Sequence, residues 1–117
     1  MRHKISNNKL SRKSSSRKAL LRGLVTDTLK HGKIKTTKAK AKEAKPILEK
    51  LITIGKSKDY NSIRKVSEFI LEKSVVKQLF DDISTKYSDK QGGYSRIVSL
   101  GPRKGDNADI VILELID

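Results

Sequence analysis

The sequence predicts an α+β fold: about four helices packed against a small sheet, with a basic arm in front. Three observations carry this expectation. Apolar residues recur at helical spacing in four stretches between residues 14 and 87. Two stretches after Gly92-Gly93, Tyr94 to Leu100 and Ile110 to Ile116, are rich in β-branched residues and read as strands. Residues 1–13 show no periodicity and read as a flexible arm, which leaves residues 14–117 as a single domain. A chain of 117 residues has no room for a second core of ordinary size, and with 35% apolar residues and no Trp that core is small and aliphatic.

The first helix starts at Ser14, Ser15 or Ser16, any of which can cap it by accepting a backbone N–H. Leu20, Leu21, Leu24, Val25 and Leu29 form its apolar stripe, and His31-Gly32 suits its end. Lys33 to Lys35 is a short extended piece with Ile34 turned inward. Thr36 and Thr37 offer the next cap, before a helix with Ala44, Ile47, Leu48, Leu51 and Ile52 on one face and Gly55 as its stop. Pro46 removes one of its hydrogen bonds, so this helix either bends there or begins there, and the bent helix is favoured. Residues 55–60 make a turn; Ile63, Val66, Phe69 and Ile70 mark a third helix. Ser74 offers a cap for a fourth, traced by Val75, Val76, Leu79, Phe80, Ile83 and Tyr87. Ile110 to Ile116 is nearly all apolar, which suggests cover on both faces. Residues 101–109 join the two strands as a long hairpin loop carrying Arg103 and Lys104.

Charge is distributed unevenly along the chain. Residues 1–22 hold eight bases (Arg2, Lys4, Lys9, Arg12, Lys13, Arg17, Lys18 and Arg22) and no acid. The first 50 residues carry a net +13 and the remaining 67 a net +1, out of a total of +14. That asymmetry points to a polyanionic partner. An anionic membrane fits poorly, because the arm offers only Met1, Ile5 and Leu10 for insertion. The longest apolar run, Ile110 to Leu113, falls far short of the ~20 residues that span a bilayer. An acid-free segment with Ser and Arg also fits a mitochondrial transit peptide in composition, but it lacks the apolar stripe. With no cysteine, disulfides, thiolate metal sites and cysteine nucleophiles are excluded together, and the expectation is a soluble intracellular domain.

No catalytic constellation can be assembled. His3 lies in the arm and His31 beside a helix-ending glycine, so solvent or phosphate contact is the simpler reading of both. The serines at 14–16 stand beside Lys13 and Lys18, but a Ser–Lys nucleophile needs a desolvated lysine, which so charged a segment cannot supply. Asp81 and Asp82 are neighbours on a helix and diverge by about 100°. The segment from Gly101 to Asp106 lacks phosphate-loop spacing, and Pro102 deletes one of the required N–H donors. No cofactor, metal or small-molecule substrate is expected.

Phosphate binding, by contrast, needs cations, hydroxyls and free backbone N–H groups. Ser14 and Ser16 interleave with Arg12, Lys13, Arg17 and Lys18, and Arg22 follows one turn on. Thr36 and Thr37, beside Lys33, Lys35, Lys38, Lys40 and Lys42, repeat the theme at a second helix start. A third candidate is Gly92-Gly93-Tyr94-Ser95-Arg96 with Arg103 and Lys104, where Tyr94 either stacks on a base or belongs to the core. Helix-turn-helix and zipper motifs are absent, and five aromatics are too few for an RNA-reading sheet of the common kind. An acid-free arm on a small α+β body suits a protein threaded into a large folded RNA. The competing reading is a free nucleoid-type or RNA-chaperone protein that binds without sequence preference.

Met1 to Lys4, Lys9 to Arg12 and Ser16 to Arg22 resemble the opening of the seventeenth protein of the bacterial large ribosomal subunit. So do Ile34 to Thr37, Ala39 to Glu43, Glu49 to Thr53, Gly55-Lys56 and Leu79-Phe80, as well as Gly92 to Ile97, Arg103 to Ala108 and Glu114 to Ile116. These blocks keep their order nearly end to end. The resemblance implies a two-layer fold of helices on a small mixed sheet and a non-catalytic, cytoplasmic, ribosomal role. It also implies large-subunit ribosomal RNA and neighbouring ribosomal proteins as partners, on the solvent side near the polypeptide exit. A proline at position 46 is tolerated in that family, which supports the bent helix. Ser11 and Ser16 depart from it, standing where Gly and His are usual.

Overall fold

The structure, a computed structural model, describes residues 14–116. The arm expected over residues 1–13 lies outside the described residues. Helix α1 spans Ser14–His31, strand β1 Lys33–Thr37, helix α2 Lys38–Gly55 and helix α3 Tyr60–Phe69. Helix α4 begins as Lys73–Gln78, widens into a π-helical turn at Leu79–Ile83 and ends as Ser84–Lys86. Strands β2 (Ser95–Pro102) and β3 (Asp109–Leu115) complete the α+β fold.

The apolar stripes pack as their spacing requires. Leu21, Val25 and Leu29 of α1 meet Ala41, Ala44, Leu48, Leu51 and Ile52 of α2, and α2 lies against the sheet with Val111 and Leu113 beneath it. Gly32 ends α1 at φ +84°, its N–H donating to the Thr28 carbonyl at 2.8 Å, the left-handed cap that glycine adopts without penalty. Helix α2 is continuous through Pro46, whose ring is exposed, so it does not begin there. Asp59, which apolar spacing assigns only to a turn, caps α3 by accepting the Ser62 N–H at 2.7 Å. The buried face of α3 is Ser62 and Val66, and Ile63, expected on the stripe, is exposed. Glu72 rather than Ser74 stands at the N-cap position of the fourth helix, without a side-chain cap bond, and the Ser74 hydroxyl donates to the Glu72 carboxylate at 3.3 Å.

The sheet order is β1-β3-β2, and both pairings are antiparallel. It is therefore not the mixed sheet that the resemblance implied. Strands β1 and β2 do run in the same direction, but β3 lies between them and takes both ladders, so no parallel pair forms. The register sends Ile34, Thr36, Val111, Leu113, Ser95 and Ile97 toward the helices. Lys33, Lys35, Ile112, Glu114, Arg96 and Val98 lie on the opposite face. That face is the more open one: Val98 is 39% exposed and Ile112 only half-buried, although Ile110 at its end is buried, so β3 is not fully covered on both sides as expected.

Two contacts tie α2 to the second half of the chain. The Glu49 carboxylate accepts the Ser95 N–H at 3.2 Å and its hydroxyl at 2.8 Å, fixing the entry to β2. Burial pushes this carboxyl up, but the Ser95 bonds and Lys45 outweigh it and hold it below its ordinary value. At the other end of α2, Gly55 sits against the π-helical turn. A Cβ there would come within 2.7 Å of the Ser84 hydroxyl, itself bonded to the Leu79 carbonyl at 2.7 Å. Helix α2 does end at Gly55, as the sequence suggested, and the missing side chain also permits this close approach.

Two mutational outcomes follow from this packing. Leu48, fully buried, should cost about 2–5 kcal/mol of unfolding free energy when replaced by Ala, measured by denaturant titration. Gly55→Ala should cost roughly 1–3 kcal/mol by overpacking and by breaking the Ser84 bond. Combined with Ser84→Ala, it should cost clearly less than the two separate losses together; strict additivity would show that the side chains do not collide.

Candidate nucleic-acid interface

The cationic residues fall into two chemical groups. Arg17, Arg22, Arg96 and Arg103 are engaged within the fold, as are Lys30 with Glu72 and Lys45 with Glu49, while Arg64 lies over the Tyr60 ring of its own helix. Arg17 reaches from α1 to Glu43 on α2 at 2.9 Å. Arg22 donates from Nε to the Phe69 carbonyl at 2.6 Å and from Nη2 to the Glu68 carbonyl at 3.3 Å, with its guanidinium 5.5 Å from the Phe69 ring. It thus supplies positive charge to the C-terminal end of α3, where carbonyls lack helical partners. Arg96 pairs with Glu114 at 2.7 Å across the outer sheet face, and Arg103 with Asp106 in the β2–β3 loop at 2.6 Å. Lys18, Lys33, Lys35, Lys38, Lys40, Lys42 and Lys104 make no ion pair among the described residues. The division follows from geometry. A planar fork suits carboxylates and helix-end carbonyls, whereas an ammonium on a flexible stem stays in water until an anion arrives.

Most of those lysines gather where α2 begins. Thr37 is its N-cap in extended conformation (φ −79°, ψ 156°), but no side-chain hydrogen bond caps the helix and no acid occupies its first turn. The first N–H groups therefore carry the positive end of the dipole unopposed, beside Lys38, Lys40 and Lys42. On one flank, Lys35, Thr36, Thr37 and Lys40 line a cleft of about 530 Å³ with Leu100, Arg103 and Lys104. On the other, Thr37, Lys38 and Lys42 line a second concavity of about 490 Å³ with Ala108 and Asp109. Two segments that the sequence could only treat separately, the second helix start and the hairpin loop, thus share one surface.

The hairpin loop is cross-linked by its own hydrogen bonds. The Arg103 N–H donates to the Ala108 carbonyl at 2.7 Å, and the Arg103 guanidinium makes a two-pronged contact with Asp106, Nε at 3.1 Å and Nη2 at 2.6 Å. Asp106 also accepts the Ala108 N–H at 3.1 Å. The Arg103 bond, then the Ala108 N–H, pull the Asp106 carboxyl down to about 2. Arg103 is the staple of this loop, and Lys104 is the exposed cation that the staple presents.

The third candidate segment behaves differently. Tyr94 is 1% exposed, its ring 5.3 Å from the Tyr87 ring and 4.5 Å below the Lys56 ammonium. Its hydroxyl donates to the Lys90 carbonyl and accepts from Thr53. It belongs to the core and cannot stack on a base, which decides between its two readings. Gly92 and Gly93, both at positive φ, make the turn into β2. Ser14, Ser16 and Lys18 are exposed on the first turns of α1, beside the Arg17–Glu43 link to α2. Arg2, His3, Lys4, Lys9, Arg12 and Lys13 lie outside the described residues. No three His, Cys, Asp or Glu side chains form a metal set among the described residues, and none of their helices is long and apolar enough to cross a membrane.

A comparison with known families decides the relationship: residues 20–116 match the family described as Ribosomal protein L17. The chain belongs to that family. Among curated relatives it is 56% identical to the large ribosomal subunit protein bL17 of Thermoanaerobacter sp. (strain X514), over 92% of this chain and 96% of that one. Its counterparts in Clostridium acetobutylicum and Clostridium botulinum (strain Hall) are 53% and 52% identical, again over 92% of this chain and 95% and 96% of theirs. The match runs through α2, the hairpin and the whole sheet, so the surface described above lies within the shared region.

Sequence reasoning misses Leu100, Gly101 and Pro102 as walls of the cleft. Their signal is the alternation of Arg96, Val98 and Leu100 along β2. Alternation marks a strand without saying which face is outward, and the irregularity between Ser99 and Gly101 shifts the register there.

The staple makes the loop sensitive to acid. Asp106 titrates below its ordinary value of 3.8, so its contribution to loop order is complete above that value and is lost as pH falls through about 2. Carbon-detected NMR should show the carboxylate ionised at pH 3 and the Ala108 amide still protected. A midpoint near 4 would contradict the staple.

Proposed function

We infer that this chain is a structural, non-catalytic constituent of the large subunit of the cytoplasmic ribosome, bound there to ribosomal RNA and to neighbouring ribosomal proteins. Family membership and the names of its relatives support the ribosomal role. The observation that carries the RNA-binding surface is the crowd of unpaired lysines around the uncapped start of α2 and the hairpin tip. Such a surface recognises sugar–phosphate backbone: it offers point charges, Thr hydroxyls and helix N–H groups, and no arrangement for reading base edges. In this reading Lys33, Lys35, Thr36, Thr37, Lys38, Lys40, Lys42 and Lys104 take phosphates directly. Ser14, Ser16 and Lys18 extend the surface along α1 toward the arm, whose Arg2, His3, Lys4, Lys9, Arg12 and Lys13 add further contacts. Arg17, Arg22 and Arg103 serve by positioning, since each holds a segment that displays lysines.

The test is the salt dependence of binding to large-subunit ribosomal RNA. Lys35, Lys38, Lys42 and Lys104, replaced together by Ala, should flatten the slope of log affinity against log salt by roughly 0.7–0.9 for each phosphate no longer neutralised. The melting temperature should hold, because all four side chains are exposed. An unchanged slope would place these lysines in solvent. A free RNA chaperone with the same charge would be found in the light fractions of a sucrose gradient, whereas a constituent of the particle sediments with large subunits.

A further inference from the structure

A groove of about 500 Å³ runs between α3 and α4, floored by Ile63, Ile70, Leu71, Val76 and Phe80. Ile70, Val76 and Phe80 are buried, but Ile63 is 41% and Leu71 67% exposed, so the apolar floor continues out to the rim. None of its lining residues belongs to the clefts around the start of α2. Lys73, Lys77 and Asp81 border the groove and follow one another along α4 at intervals of about one turn. All three are exposed, and none makes an ion pair among the described residues.

We propose that this groove seats an amphipathic helix of a neighbouring ribosomal protein, one that carries two acids and then a base at one-turn intervals beside its apolar face. The inference rests on the reading of the chain as a ribosomal constituent with protein neighbours, and deepens it. The order of charges selects the occupant. Phosphates would suit the two lysines but would meet Asp81, and Ser67 is the only hydroxyl among the lining residues. A second copy turned end for end would set Asp81 against Lys73 but Lys77 against Lys77, with a net charge of +14 on each chain. A helix with acid, acid and base pairs all three positions. Its apolar residues at i, i+3, i+4 and i+7 form a ridge that covers Ile63 and Leu71. Exposed ion pairs add little affinity each, so burial of this floor supplies the attraction while the charges set register and direction.

The experiment uses full-length chains assembled into large subunits, with Leu71 replaced by photoreactive benzoylphenylalanine and the crosslinks mapped by mass spectrometry. Irradiation should join position 71 to a protein segment with helically spaced apolar residues and the acid, acid, base order. In the same chain, Lys73→Glu with Lys77→Glu should lower the yield roughly tenfold, because two attractions become repulsions. Lys73→Arg with Lys77→Arg should keep it. A crosslink to RNA, to a second copy or to a segment without that charge order overturns the proposal. So does the absence of a crosslink, or a yield that ignores the charge reversal. The same photoreactive group at Lys104 serves as reference. An RNA crosslink there with none from position 71 refutes the groove and leaves the ribosomal reading standing; no crosslink from either position means that the ribosomal reading falls as well.

Discussion

Lys38, Lys40 and Lys42 repel one another at a helix end whose dipole repels them too, and the rest of the structure compensates for that conflict. Lys38 and Lys42 are one turn apart, a like-charge spacing that costs about 0.2–0.5 kcal/mol on an isolated helix. Nothing caps the first turn. Helix α2 persists because its other face is the centre of the core: Ala41, Ala44, Leu48 and Ile52 are fully buried against α1, the sheet and the second half of the chain. The small side chains at 41 and 44 let α1 approach closely behind the lysines, and Arg17–Glu43 fastens the two helices at that level. Hydrophobic burial thus holds a charge cluster that would disperse if it were free to do so.

The same economy explains where the arginines go. Four of the five forked side chains among the described residues close a joint: α1 to α2, α1 to the end of α3, β2 to β3, and the hairpin loop to itself; Arg64 lies over the Tyr60 ring on its own helix. Lysines remain for the surface. A structural protein of a ribonucleoprotein particle needs this division, since a guanidinium committed to an internal carboxylate fixes geometry before assembly while an uncommitted ammonium is released from water only on assembly. The acid-poor front half and the balanced rear half are therefore parts of one arrangement, joined where Lys30 meets the Glu72 carboxylate and where Arg22 meets the backbone carbonyls of Glu68 and Phe69.

Much of this was legible in the sequence, for physical reasons that can be named. The α1 and α2 stripes, the Gly32 stop and the two strands are local patterns of apolar spacing and glycine placement, and local patterns survive into the fold. Three features were not local. The π-helical turn at Leu79–Ile83 leaves the apolar spacing of α4 almost unchanged, and it becomes visible only when Ser84 takes the Leu79 carbonyl beside Gly55. Tyr94 was ambiguous because a tyrosine before a strand suits a base or a core equally, and only Tyr87, Thr53 and Lys56, distant in sequence, decide between them. The union of Lys35 and Lys40 with Lys104 depends on β1 and β2 flanking β3, which periodicity does not encode. Composition located the charge; topology made it a surface.

Lysine reactivity tests the phosphate-binding face most directly. The free chain and assembled large subunits would be acetylated under identical conditions and each lysine quantified by mass spectrometry. Lys18, Lys35, Lys38, Lys42 and Lys104 should react freely in the isolated chain and be shielded in the particle, while Lys65 of the balanced half changes far less. Equal labelling of the first group in both states would show those ammoniums still in water, and the reading of this surface as a phosphate-binding face would be wrong.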